Sequence, residues 1–206
     1  MRKPVLRLAV ALGLLLILTS PGHTLEAPKS IASITLGAMI TEVQDKVDLA
    51  SAVPLGGANF LMRAPLKPIM GFESGYVVYG NCKEKGRIVR IKVKYENDDE
   101  SFYNEVLSAL KHRYGKPAEW RGNPFGTLKI WKWTLRDASR HSIGVQLQRY
   151  EGDDDAFTPG NSLKITHSDY LEQEKACYDR TRKDAKRASQ GSAAKGKMDF
   201  ESYLPH

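Results

Sequence analysis

Residues 87–117 read RIVRIKVKYENDDESFYNEVLSALKHRYGKP, and this stretch decides the fold. In its first part, Val89, Ile91, Val93 and Tyr95 alternate with charged side chains. Such strict alternation predicts a β-strand with one buried face and one solvated face. A sheet that buries only one of its faces is typical of antiparallel strands.

A helix is predicted directly after this strand. Acidic and capping side chains crowd residues 97–101, where the helix dipole favours negative charge. Apolar side chains then recur at three- and four-residue spacing as far as Tyr114, which is the pattern of a helix with one buried face. Gly115 favours the left-handed cap that ends a helix, and Pro117 prevents its continuation.

The remaining chain predicts further elements of both kinds. A short helix is expected near Thr41 and a last helix from Ser168 or Asp169. Further strands are expected at 75–80, 128–136, 143–148 and 163–165. This order predicts an α+β fold, in which an antiparallel sheet has its helices packed on one face. A helix followed by about three strands occurs twice, at 38–96 and 99–167, so the order also fits a tandem αβββ duplication.

The first 24 residues have the layout of a secretory signal peptide. Three basic residues precede an apolar run at 8–18, and small residues then lead to a cleavage position after Gly22 or Thr24. The run is shorter than the roughly 20 residues that a membrane helix needs, although an uncleaved anchor remains the alternative. We therefore expect an exported protein, periplasmic or secreted, with no transmembrane segment in the mature chain.

Charge is unevenly distributed along the chain. The formal net charge is +7, but residues 25–179 carry 21 basic and 21 acidic side chains. We expect residues 25–179 to form a single α+β domain and residues 180–206 to form a basic, largely disordered tail. The domain is thus neutral, and the excess positive charge lies in the first 24 residues and in the tail. An exported protein also seldom meets nucleic acid. Nucleic-acid binding is therefore not expected.

The chain has two cysteines, Cys82 and Cys177. An exported protein folds in an oxidising compartment, so a single disulfide that closes a long loop is the natural interpretation. The alternative, a redox pair or a set of metal ligands, has little support because no Cys-x-x-Cys spacing occurs.

Two groups of side chains are candidates for a binding surface. The first is the solvated face of the sheet, for which alternation alone also explains the polar character. Its members are Arg90, Lys92, Lys94, Lys132, Gln146 and Gln148. Their positive charge could dock an acidic protein or an anionic envelope polymer. The second group is Trp120, Trp131 and Trp133, for which core packing is the favoured interpretation and an exposed binding patch the alternative.

No residue pattern indicates catalysis, a cofactor or a metal. His112, His141 and His167 show no metal-ligand spacing, although a dispersed catalytic triad stays open. The acidic residues 153–155 do not match the spacing of a calcium loop, so we expect a solvated loop there. No glycine-rich phosphate loop occurs.

One stretch supports a family resemblance. Arg113-Tyr114-Gly115-Lys116-Pro117 ends the predicted helix, and a hairpin with Trp131-Lys132-Trp133 follows. This arrangement resembles the small exported modules of the SmpA/OmlA outer-membrane-assembly type. In duplicated form it is similar to the beta-lactamase-inhibitor-protein architecture. Members of these families bind other proteins, so the resemblance implies a binding module rather than an enzyme.

The sequence thus predicts an exported, non-catalytic binding module of the cell envelope. Its expected partner is an envelope protein or an anionic envelope surface, and no cofactor is expected. One alternative is a periplasmic hydrolase whose dispersed His and Asp residues converge in a cleft with a nucleophile. Another alternative is an inhibitor of a secreted enzyme that uses the loop at 151–160 as its contact.

Overall fold

The computed structural model describes residues 26–193, so the predicted signal peptide and the last part of the tail lie outside the described residues. The fold is α+β, as predicted. The elements are β1 (Ser30–Ile31), β2 (Ile34–Thr35), a 3-10 helix (Ile40–Val43), β3 (Val53–Leu55), β4 (Ala58–Pro65), β5 (Phe72–Gly80), β6 (Ile88–Tyr95), α1 (Glu100–Tyr114), β7 (Glu119–Gly122), β8 (Leu128–Arg136), β9 (Ser142–Tyr150), β10 (Gly160–His167) and α2 (Ser168–Ala193).

Eight of the strands form one antiparallel sheet with the order β3-β4-β5-β6-β10-β9-β8-β7, and β1 pairs with β2 separately. A helical element followed by a four-stranded meander occurs twice, first from the 3-10 helix to β6 and then from α1 to β10. The last strands of the two meanders, β6 and β10, pair at the centre of the sheet. Each half thus has one strand more than the predicted αβββ unit, because the short edge strands β3 and β7 carry no clear periodic pattern.

One face of the sheet, which we call the core face, is covered by α1 and by the segment around the 3-10 helix. Tyr103 of α1 is 1% exposed and packs in the same cluster as Ile40 and Val43 of the 3-10 helix. The sheet contributes Val77, Ile91, Val145, Leu147 and Ile165 to this cluster. The alternation in β6 and the helical periodicity of α1 therefore both reflect burial in one core.

The opposite face, which we call the polar face, carries Arg90, Lys92, Lys94, Lys132, Gln146, Gln148 and Lys164. Val89 departs from the predicted alternation. The pairing of β5 with β6 shifts register beside this residue, which is the mark of a β-bulge. Val89 consequently leaves the core cluster and packs with Leu61 and Val78 under Tyr170 and Leu171 of α2. Helix α2 therefore begins on the side of the sheet opposite to α1.

Helix α2 is fastened to the turn between β5 and β6 by a covalent bond and by a buried carboxylate. Cys82 and Cys177 form the predicted disulfide, with their Cα atoms 5.9 Å apart. Glu174 is fully buried and accepts hydrogen bonds from the backbone N–H groups of Cys82, Lys83 and Glu84 at 2.7–2.9 Å. The disulfide and these three hydrogen bonds thus join the β5–β6 turn to α2.

The described part of the tail is helical. Residues 180–193, which the sequence analysis assigned to a largely disordered tail, continue α2 as far as Ala193. Residues 180–189 are exposed almost throughout, so this part of the helix extends into solvent. Among residues 26–193, no helix is both long enough and apolar enough to cross a membrane.

Candidate functional site

A row of polar side chains runs straight across the polar face. Tyr76 pairs with Lys92, Lys92 with Lys164, Lys164 with Gln146, and Gln146 with Lys132. Directly paired residues on neighbouring strands place their Cβ atoms about 5 Å apart. Arg90 lies two residues before Lys92 and therefore faces the same side. Strand pairing thus brings four cations from three well-separated segments onto one surface.

Three of these cations, Arg90, Lys92 and Lys164, form what we call the cation cluster. All three are half-buried, and none makes an ion pair with an acidic residue in the described part of the chain. Like charges side by side on a sheet destabilise it, and burial removes the water that would screen them. Such an arrangement is unfavourable for the free domain.

The pKa values of the cluster reflect this unfavourable placement. Burial is the main cause that lowers the pKa of Lys164 to about 8, and the charges of Arg90, Lys92 and Lys132 lower it further. Burial also lowers the pKa of Lys92, with a second contribution from Arg90. The guanidinium of Arg90 has a pKa lowered by burial as well. An anion bound against these groups would reverse the shifts, because opposite charge favours the protonated form.

Hydroxyl groups hold two of the three cations in place. The Lys92 ammonium donates to the Thr158 hydroxyl, and Arg90 Nε donates to the Thr166 hydroxyl at 3.3 Å. Gln148 donates to the Thr158 carbonyl at 3.0 Å, which fixes the loop 151–159 over this part of the polar face. Neutral hydroxyl acceptors orient the cations and leave their charge uncompensated. The chemistry this arrangement favours is therefore the binding of an anionic group.

The six predicted binding residues divide between different surroundings. Arg90 and Lys92 belong to the cation cluster. Lys94 pairs with Glu73 and Asp98, and Lys132 pairs with Glu119 at 3.3 Å, so both already have acidic partners. The remaining two, Trp131 and Trp133, project to the core face with Leu147 and Val145 as their strand partners. Gln146 and Gln148 do lie on the polar face beside the cluster, as predicted.

Lys164 was missing from the prediction, although the sequence contains a signal for it. Leu163 and Ile165 are apolar neighbours in the strand, and alternation places the residue between them on the opposite face. Its place in the cation cluster depends on the pairing of β10 with β6, which brings Lys164 beside Lys92, 72 positions earlier in the chain. That pairing is a property of the whole fold and not of the local pattern.

The tryptophans have separate roles. Trp133 is 2% exposed and its indole N–H donates to the Gly115 carbonyl at 2.9 Å, so it belongs to the core. Trp120 is 54% exposed and lies 6.1 Å from the half-buried Trp131, measured between ring centroids. Together with Lys111 they line an open pocket of about 520 Å³. This pocket is formed by α1, β7 and β8 and does not include the cation cluster.

Two histidines and a carboxylate meet at the sheet end where α2 begins. Asp137, His141 and His167 each place a ligand atom within 4.8 Å of the other two. The hydrolase hypothesis also requires a nucleophile. Both cysteines are in the disulfide, and in the described residues no serine or threonine hydroxyl hydrogen-bonds to either imidazole. These three residues show no metal-ligand spacing in the sequence because they converge only through strand pairing.

Comparison of the chain with protein-family models, with curated proteins and with solved structures finds no match in any of the three. The resemblance to SmpA/OmlA-type modules therefore stays a prediction. The inhibitor hypothesis also stays a prediction. The loop 151–159, which it would use as a contact, has its acidic residues 153–155 exposed.

Proposed function

We propose that this protein is an exported, non-catalytic binding module of the cell envelope that holds an acidic segment of a partner protein against the cation cluster. The observation that carries the proposal is the uncompensated charge of Arg90, Lys92 and Lys164. A domain that needed only a solvated sheet face could keep its lysines extended in water or paired, as Lys94 is. Unfavourable local arrangements that persist in a fold tend to mark functional sites.

Export is part of the proposal and rests on two features. The first 24 residues have the layout of a signal peptide. The disulfide between Cys82 and Cys177 is compatible with folding in an oxidising compartment. Both features support a periplasmic or secreted protein.

The shape of the polar face favours an acidic polypeptide over a flat anionic surface. The loop 151–159 contacts Lys92 at one end, and the first turn of α2 packs over Val78 and Val89 at the other. A helix is about 10 Å in diameter, so α2 stands above the sheet at one end of the cation cluster, and the loop 151–159 covers the sheet at the other end. A carboxylate on a side chain can reach between them, whereas a planar membrane surface is held away.

The test compares two double variants that each remove two positive charges. Lys92→Gln with Lys164→Gln changes the cation cluster, whereas Lys85→Gln with Lys183→Gln changes exposed lysines elsewhere. Fluorescently labelled poly-L-glutamate is titrated with each protein, and the affinity is read from fluorescence anisotropy. A parallel titration uses vesicles that contain anionic lipid.

We expect the cluster variant to bind poly-L-glutamate at least tenfold more weakly than the wild type, since close charge pairs carry much of the energy of such contacts. The control variant should stay within about twofold, as distant surface charges contribute little. Equal losses in both variants would show that only net charge matters and would refute the assignment of the surface. Tighter binding to the vesicles than to the polypeptide would refute the proposed class of partner.

A further inference from the structure

The cluster of Asp137, His141 and His167 is independent of the cation cluster and has the composition of a metal site. Asp137 and His141 lie at the two ends of the turn between β8 and β9, and His167 is the last residue of β10. They meet because β9 pairs with β10 so that Ile143 lies opposite His167. His141 precedes Ile143 by two residues, and it therefore reaches the same part of the sheet end.

The carboxylate of Asp137 is held in position by the turn. Its Oδ1 accepts the backbone N–H of His141 at 2.9 Å, while Oδ2 lies 3.4 Å from Nδ1 of the His141 ring. The Asp137 side chain is 9% exposed, whereas that of His141 is 38% exposed. Oδ1 is thus occupied by a backbone hydrogen bond, whereas Oδ2 faces the His141 imidazole.

The ring of His167 is fixed by its neighbours on α2. It is 4% exposed and stacks on the ring of Tyr170, with 3.4 Å between centroids and 4° between planes. The guanidinium of Arg87 covers the other side of Tyr170 at 3.8 Å. The Tyr170 backbone N–H donates to Nδ1 of His167 over 3.3 Å. The ring of His141, whose side chain is 38% exposed, is the least enclosed of the three and therefore has the most room to turn toward an ion.

Two imidazoles with one carboxylate form a ligand set that suits zinc, with water in the fourth position. In tetrahedral coordination with bonds of about 2.0–2.1 Å, neighbouring ligand atoms lie roughly 3.3 Å apart. The three ligand atoms already lie within 4.8 Å of one another, so side-chain adjustments of at most about 1.5 Å bring them to this spacing.

We propose that Asp137, His141 and His167 bind one Zn²⁺ ion that links the β8–β9 turn to the start of α2. Binding has a specific consequence for His167. A ligating imidazole uses one nitrogen for the metal and carries a proton on the other, so Nδ1 can no longer accept a hydrogen bond. The hydrogen bond from the Tyr170 N–H is then lost whichever nitrogen binds the ion. The Tyr170 amide thus reports on the site.

The test measures zinc binding to the full chain, expressed without a histidine tag, by isothermal titration with zinc chloride at pH 7.5. The variants His141→Gln and Asp137→Asn remove one proposed ligand each, and His141 is exposed enough to be replaced without loss of the fold. His112→Gln changes an exposed histidine of α1 and is the matched control. The Tyr170 amide is followed separately in nitrogen–proton correlation spectra during the same titration.

We expect one zinc ion per wild-type chain and at least tenfold weaker binding in both ligand variants, because loss even of outer-shell groups costs that much. The His112→Gln variant should bind as the wild type does, and the Tyr170 amide should shift in proportion to bound zinc. The proposal is overturned if the wild type binds no zinc, or if His141→Gln binds it as tightly as the wild type. An unmoved Tyr170 amide would overturn the assignment of His167 as a ligand.

Discussion

Replacement of Lys164 by methionine should stabilise the domain at neutral pH, although it removes a residue of the proposed binding site. Lys164 is half-buried beside Arg90 and Lys92, and no acidic residue in the described part of the chain pairs with it. Methionine keeps a similar length of apolar side chain and removes the charge that burial and the neighbouring cations disfavour. The expected gain therefore comes from relief of an unfavourable charge.

The size of the gain follows from the pKa of Lys164, which falls from its ordinary value of 10.5 to about 8. One pKa unit corresponds to about 1.4 kcal/mol, which gives an upper limit of about 3.5 kcal/mol. Because the side chain keeps some contact with water, which screens the repulsion, we expect a stabilisation of about 1–3 kcal/mol.

The gain should depend on pH with a definite sign. Between pH 8 and pH 10.5 the unfolded chain binds more protons at Lys164 than the folded protein, so the wild type becomes more stable as the pH rises. The advantage of the variant is thus complete below about pH 8 and is lost on approach to pH 10.5. At pH 10 it should be about a quarter of its value at pH 7.

The assay is urea unfolding followed by tryptophan fluorescence at pH 7 and at pH 10. Lys85→Met changes an exposed lysine in the β5–β6 turn and should alter the stability by less than about 0.5 kcal/mol at either pH. A destabilised Lys164→Met variant at pH 7 would refute the reasoning. So would a stabilisation of the same size at both pH values, because burial of apolar surface alone does not depend on pH.

Two further predictions concern the contacts that join α2 to the β5–β6 turn. Replacement of Cys82 and Cys177 by serine opens a loop with a sequence separation of 95, and the chain-entropy relation gives a loss of about 4–5 kcal/mol in the free energy of unfolding. A loss below about 1 kcal/mol in urea unfolding would show that the disulfide does not restrain the unfolded chain. In the Glu174→Gln variant, the amide NH₂ faces at least one of the three backbone N–H donors. We therefore expect the free energy of unfolding to fall by about 2 kcal/mol. The exposed Glu172→Gln is its control, and equal effects of the two changes would contradict the role of the buried carboxylate.

Local periodicity was sufficient to predict the central elements of the fold. Strand β6 and helix α1 occupy the predicted stretch because their apolar side chains repeat with the period of each element. The edge strands β3 and β7 have three and four residues, which is too short for a period to be recognised. Val89 was assigned to the wrong face because a β-bulge depends on the partner strand β5 and leaves no mark in the sequence of β6.

The candidate sites depend on pairing over long distances and were only partly predictable. The charged face of β6 was visible from alternation, but Lys164 joins it only through the pairing of β10 with β6. The buried position of Glu174 depends on the turn that contains Cys82, 92 positions earlier in the chain. His141 and His167 likewise meet through two neighbouring strands. Such contacts follow from the complete strand order of the sheet, which local sequence patterns do not reveal.

The most direct test of the binding proposal maps the contact surface on the protein itself. Isotope-labelled protein is titrated with poly-L-glutamate, and the shift of each backbone amide is followed. We expect the largest changes in β6 and β10 around Arg90, Lys92 and Lys164, with little change along residues 180–193 of α2. Changes confined to that exposed basic helix, or spread evenly over the surface, would contradict the proposal that the cation cluster is the binding site.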